Sequence, residues 1–125
     1  MHKPPRYIVV LEDDASMLRA WLRTARKRNV PVVGCSTVEE ALEALSSPGA
    51  AGLITDFHLE TGTSLPAIGL ARRLAPPLPV SVATGNGGSA EAALSDEGLE
   101  AEVQSKPVDM NAVLDQIWQR RSKLP

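Results

Sequence analysis

Four segments of the 125-residue chain place chemically capable side chains directly after short apolar runs. Glu12-Asp13-Asp14 follows Tyr7 to Leu11, Asp56 ends Gly52-Leu53-Ile54-Thr55-Asp56, Thr84 follows Pro79 to Ala83, and Lys106-Pro107 follows Ala101 to Ser105. Carboxylates gathered from such tips would repel one another, so that either a proton or a cation must sit among them. Oxygen ligands with open positions suit Mg²⁺, which keeps some of its waters and accepts phosphate oxygens. A carboxylate beside that ion can attack phosphorus and form an aspartyl phosphate. The Lys106 ammonium would then neutralise charge on the transferred group, and the Thr84 hydroxyl would hydrogen-bond one of its oxygens.

The elements that must position these groups alternate between short apolar runs and helical stripes. Tyr7-Ile8-Val9-Val10-Leu11 reads as a strand buried on both faces. Met17, Leu18, Trp21, Leu22 and Ala25 fall at helical spacing, with Arg19, Arg23, Arg26 and Lys27 on the other face. Val30 to Cys35 is a second strand containing Pro31, and Val38, Ala41, Leu42 and Leu45 form a helix capped by Thr37 and ended by Ser-Ser-Pro-Gly. Gly52 to Asp56 is a third strand, and Leu65, Ile68, Ala71 and Leu74 mark a helix stopped by Pro76-Pro77. Pro79 to Ala83 is a fourth strand, followed by a glycine-rich turn, Gly85 to Gly88, and a short helix around Glu91 to Ser95. Ala101 to Ser105 carries the weakest strand signal. Met110, Val113, Leu114, Ile117 and Trp118 form the strongest helical stripe, beginning after Asp109.

Five β-α units in series predict an α/β fold with a parallel sheet and helices on both faces. Right-handed crossovers leave few topologies, and among them the flavodoxin-like, doubly wound (βα)5 arrangement of strand order 2-1-3-4-5 allows two checks. That order puts strands 2 and 5 at the edges, where Pro31 and the mixed Ala-Glu-Val-Gln pattern are tolerated. It also puts the ligand crevice outside the carboxyl ends of strands 1 and 3, where the acidic groups lie.

Composition narrows the function. The length suits one domain spanning 1–125, with an ordered core of about 6–120. Hydrophobic residues at 43% allow a sizeable core. Thirteen Lys and Arg against 15 Asp and Glu give a net charge of −2, unlike a nucleic-acid binder. Aromatics at 3% are too few for a base-stacking platform. The single Cys35 cannot form an internal disulfide and fits a reducing compartment. No membrane-length apolar run and no signal-peptide pattern is evident, so a soluble cytoplasmic protein is expected.

Together Ile8 to Asp14, Leu53 to Asp56, Val82-Ala83-Thr84-Gly85 and Ser105-Lys106-Pro107 resemble a response-regulator receiver domain of two-component signalling, over roughly Arg6 to Arg120. Thr84-Gly85 and Gly62-Thr63-Ser64 are similar to receivers found with hybrid histidine kinases. The resemblance implies that Asp56 is the phosphoacceptor and that Asp13 ligates Mg²⁺ directly. Glu12 would reach the ion through water, and the His58 backbone carbonyl would be a further ligand. It implies that Thr84 and Lys106 contact the phosphoryl group, and that Lys106-Pro107 is a candidate cis peptide. The implied partners are a histidine kinase or a histidine phosphotransfer protein and an unknown downstream protein, with the chain a monomer or weak homodimer. Such a domain assists its own phosphorylation and dephosphorylation without being an enzyme in the ordinary sense. The length suggests a stand-alone regulator or a receiver taken from a longer chain.

The match has departures. Val103 stands where the family has an aromatic switch residue, so a swinging ring is not the readout. Glu60 follows Leu59 where proline is frequent, which implies a differently shaped loop from Glu60 to Leu65. His58 and Asn86 occupy positions that tune dephosphorylation in the family.

Bland readings stand beside these. Asp14 is expected to cap the first helix. Arg19, Arg23, Arg26 and Arg28 read first as a solvated face and second as a contact for a histidine-containing partner. Trp21 and Trp118 read as core. The rival functions are a receiver-fold docking or dimerisation module in which phosphorylation is dispensable, and a phosphatase of the haloacid dehalogenase type. The latter needs Asp-x-Asp, whereas here Asp56-Phe57-His58 lacks the second acid. A flavodoxin is disfavoured by the acidic loop after the first strand.

Overall fold

The computed structural model describes residues 5–121. Seven strands and five helices follow in the order β1 (Tyr7–Leu11), α1 (Ala15–Lys27), β2 (Val32–Cys35), α2 (Val38–Leu45), β3 (Ala50–Asp56), β4 (His58–Leu59), β5 (Gly62–Thr63), α3 (Leu65–Arg73), β6 (Val80–Thr84), α4 (Gly87–Asp96), β7 (Glu102–Ser105) and α5 (Met110–Gln119). Five strands form one parallel sheet of order β2-β1-β3-β6-β7, which is the flavodoxin-like 2-1-3-4-5 arrangement.

Alternation along the central strands divides the core between the two faces, because successive side chains of a strand point oppositely. Val9, Leu11, Leu53, Phe57, Val82 and Ile68 pack together beneath α2, α3 and α4. Ile8, Val10 and Ile54 pack with Trp21 of α1 and Val113, Leu114 and Ile117 of α5. Each such aliphatic side chain, buried on a strand covered on both faces, contributes about 1.5–3 kcal/mol. That double burial is why β1 and β3 read as unbroken apolar runs.

Helix starts follow cap chemistry. Asp14 accepts from the Met17 N–H, Thr37 from the Glu40 N–H, and Asp109 from the Ala112 N–H, each filling an otherwise unpaired first-turn donor. At the start of α3, Ser64 makes no side-chain cap bond, and Pro66 occupies the first turn, where its missing N–H costs nothing.

Several boundaries differ from the sequence expectation. The second strand begins at Val32, and Pro31 precedes it, although the Pro31 carbonyl still accepts from the Ile8 N–H. Gly87 and Gly88 belong to the first turn of α4 rather than to a flexible turn, because the Asn86 side chain accepts from the Ser89 N–H and caps the helix there. The third helix stops at Arg73, ahead of Leu74, which is extended; Ala75-Pro76 is cis. The small antiparallel β4–β5 hairpin has no periodic signal, since each strand is only two residues long. No helix among the described residues is long and apolar enough to cross a membrane.

Candidate functional site

The carboxyl ends of β1 and β3 are neighbours, with Leu11 paired to Thr55, so the residues that follow them meet. One carboxylate oxygen from each of Glu12, Asp13 and Asp56 lies within 4.8 Å of the others. From the far side, Lys106 Nζ reaches 3.0 Å from Asp56 Oδ1. Lys106 is set there by β7, whose end is pinned to β6 by the Lys106 N–H to Thr84 carbonyl bond of 2.9 Å. Lys106-Pro107 is a cis peptide, as the resemblance led us to expect.

Glu12 is the electrostatic focus. It is only 4% exposed, and its Oε2 is buried without a hydrogen-bond partner. Burial first, and the neighbouring charge of Asp56 second, push its carboxyl up from 4.5 to about 7. Such a group gains from a cation that restores its charged form. Three clustered carboxylates with an unpartnered buried oxygen fit a hard, oxygen-loving divalent ion such as Mg²⁺.

Thr84 is the expected member that sits apart from the cleft. It is fully buried, and its hydroxyl accepts from the Asn86 N–H at 3.0 Å. Its neighbour Ala83 faces the cleft instead. His58 lies in β4 with an exposed side chain, edge-on to the Phe57 ring at 4.9 Å between centroids. Val103 is half-buried in β7 opposite Val82, packed on the core beneath α4. Asp14 caps α1, in keeping with the bland reading.

Other features escaped sequence reasoning. A cleft of about 390 Å³ opens beside the acidic cluster, lined by Met17, Trp21, Ile54, Pro107 and Val108 along with Glu12, Asp56 and Lys106. Met17, at 39% exposure, and Trp21 share one helical stripe, and their place in the lining of a cleft depends on where α1 meets the loop after β7. Thr55 is buried, and its hydroxyl donates to the Asp56 carbonyl at 2.8 Å. The Glu60 N–H donates to Asp13 Oδ2 at 2.8 Å. Trp118 is half-buried and packs against the core shared by α1 and α5, with the Arg121 guanidinium 4.2 Å above its ring.

Comparison with known proteins bears on the fold. No family model matches the chain. A receiver domain protein (CheY-like) from Methanospirillum hungatei JF-1 superposes with a TM-score of 0.77 at 19% identity, covering 94% of both chains. A response regulator receiver protein from Pseudomonas putida gives 0.74 at 23% identity, over 94% of this chain and 99% of that one. One from Sinorhizobium medicae WSM419 gives 0.76 at 20%, over 94% and 98%. In sequence, the photosynthetic apparatus regulatory protein RegA of Rhodobacter capsulatus is 25% identical over 120 residues, covering 96% of this chain. The chain spans 65% of the length of that relative. The fold is that of the response-regulator receiver domain.

Proposed function

We propose that the chain is a two-component phospho-receiver that accepts a phosphoryl group on Asp56 from a phosphohistidine donor, such as a histidine kinase or a histidine phosphotransfer protein. The observation that carries the reading is the Lys106–Asp56 contact beside the Glu12, Asp13 and Asp56 cluster. An isolated strand-end carboxylate needs neither a paired ammonium nor two further acids. At 13% side-chain exposure, Asp56 is reachable by a donor yet partly desolvated.

Glu12, Asp13 and Asp56, with the His58 backbone carbonyl, would hold Mg²⁺, which would neutralise phosphoryl oxygens when bound. An Asp56 carboxylate oxygen attacks phosphorus in line. The new O–P bond forms as the P–N bond breaks, and the electron pair stays on the donor imidazole. Lys106 shifts its ammonium from the free carboxylate to the arriving phosphoryl oxygens. The Thr84 hydroxyl, whose oxygen accepts from the Asn86 N–H, would donate its own proton to the same group, which links acceptance to the cap of α4. Signalling then proceeds through protein contacts as populations of that region shift. A cytoplasmic location, with no nucleic-acid or membrane partner and a monomeric or weakly dimeric state, suits this role.

The test uses beryllofluoride, a tetrahedral mimic of an acyl phosphate. With Mg²⁺ it should move amide NMR signals at Asp56, Thr84, Asn86 and Lys106 in the wild type and none in Asp56→Asn. Absence of these shifts in a folded wild type favours the docking module, in which phosphorylation is dispensable.

A further inference from the structure

The acidic cluster is spanned by a contact that the ligand set alone does not require. Glu60 and Thr61 are the two turn residues of the hairpin, because His58 pairs with Thr63 and Leu59 with Gly62. From that tip the Glu60 N–H reaches back across 47 residues of sequence to Asp13 Oδ2, at 2.8 Å. The donor depends on the residue type at position 60. A proline at that position has no N–H and could not make the bond. Here the hairpin is therefore fastened to a carboxylate of the cluster.

We infer that the Glu60 backbone amide is a positioning group for the divalent cation, fixing the rotation of the Asp13 carboxylate and tying the β4–β5 hairpin to occupancy of the cation site. The inference rests on the cation reading of the proposed function. A hydrogen bond to a charged carboxylate is short and strong, and it removes one rotational freedom before the ion arrives. Partners of metal-ligating carboxylates act in this way, orienting the ligand without touching the metal. Coupling runs in both directions: an ion that holds Asp13 also holds the hairpin through the same bond.

Mg²⁺ titration of the full chain tests this, followed by tryptophan fluorescence because Trp21 lines the cleft beside Glu12 and Asp56. Glu60→Gln and Glu60→Ala keep the N–H and should bind Mg²⁺ as the wild type does. Glu60→Pro removes the donor and should weaken binding by about tenfold or more. The substitution is compatible with the turn, since proline is favoured at the first turn position and Glu60 has no positive φ. A folded Glu60→Pro that binds like the wild type overturns the inference, and so does Glu60→Ala falling as far as Glu60→Pro. Should the proline variant fail to fold, amide exchange in the wild type decides. Mg²⁺ should slow exchange of the Glu60 N–H, and an unchanged rate overturns the coupling. A wild type that binds no Mg²⁺ overturns the cation reading itself, whereas binding that ignores the Glu60 amide overturns only this inference.

Discussion

Lys106 Nζ stands 3.0 Å from Asp56 Oδ1, although β3, which ends at Asp56, and β7, which Lys106 follows, are separated in the sheet by β6. The pair spans the crevice, so the ammonium already occupies the region where charge would develop on a transferred phosphoryl group. It is 42% exposed on the lysine side, and as a surface pair it contributes little to stability. Lys106→Gln should leave the melting temperature nearly unchanged while slowing phosphorylation by acetyl phosphate about 10²-fold. Mg²⁺ binding should be no weaker than in the wild type, because a competing positive charge has gone. A full-rate variant would show that Lys106 is an ordinary surface lysine.

Glu12 gives the protein a pH signature. Burial, then the Asp56 charge, hold its carboxyl at about 7 in the fold against an ordinary 4.5. Across that window the folded chain keeps a proton that the unfolded chain has released, so stability falls as pH rises. The loss is fully developed above the folded pKa and amounts to on the order of 3 kcal/mol. Urea unfolding without divalent cations, at about pH 5 and about pH 8, should show this decline in the wild type and lose it in Glu12→Gln. Comparing the two proteins cancels other groups, among them Glu40, whose pKa is lowered by hydrogen bonds from Ser36. Identical slopes would mean that Glu12 is not desolvated.

Saturating Mg²⁺ should reverse that behaviour. An ion at Glu12, Asp13 and Asp56 favours their charged forms, so the stabilisation it gives should increase from pH 5 to pH 8, the window about the raised Glu12 pKa. Chelation with EDTA should return the protein to the declining profile. Equal stabilisation at both pH values would place the ion elsewhere.

Thr84 and Asn86 form a relay of two hydrogen bonds. The Thr84 hydroxyl accepts from the Asn86 N–H, and the Asn86 side chain accepts from the Ser89 N–H at the start of α4. Thr84→Val keeps the shape and removes the acceptor, and should cost about 1 kcal/mol while speeding amide exchange in the first turn of α4. Unchanged exchange at Asn86 and Ser89 would separate the hydroxyl from the helix.

Gly52 tests how the central strand meets α5. A Cβ there would stand 3.0 Å from Ile8 Cδ1 and 3.1 Å from Ile117 Cγ1. Gly52→Ala should therefore destabilise by about 1–3 kcal/mol through overpacking, measured by urea unfolding. A neutral substitution would mean that Ile117 swings aside freely.

The sheet order was legible because β1 and β3 are apolar on both faces, which only central parallel strands require, while β7 keeps Glu102 and Ser105 exposed. Asp14, Thr37 and Asp109 marked helix starts because capping is a local interaction. Convergence of Glu12, Asp13 and Asp56 followed from strand order alone. The Glu60–Asp13 bond and the cleft beside Met17 and Trp21 did not, since each depends on the meeting of segments remote in sequence, and the engagement of Thr84 with Asn86, though only two residues apart, depends on a turn conformation that no periodicity signals. Gly87 and Gly88 misled for a physical reason: their weak helix propensity is overridden by the Asn86 cap and by the burial of Ala90 and Leu94 one turn later.

Phosphate acceptance on Asp56 can be read by intact-mass spectrometry after incubation with acetyl phosphate. The wild type should gain an adduct of about 80 Da that forms with Mg²⁺, is lost with EDTA, and is absent from Asp56→Asn. A folded wild type that binds Mg²⁺ and gains no mass, or an Asp56→Asn variant that gains the same mass, would contradict it.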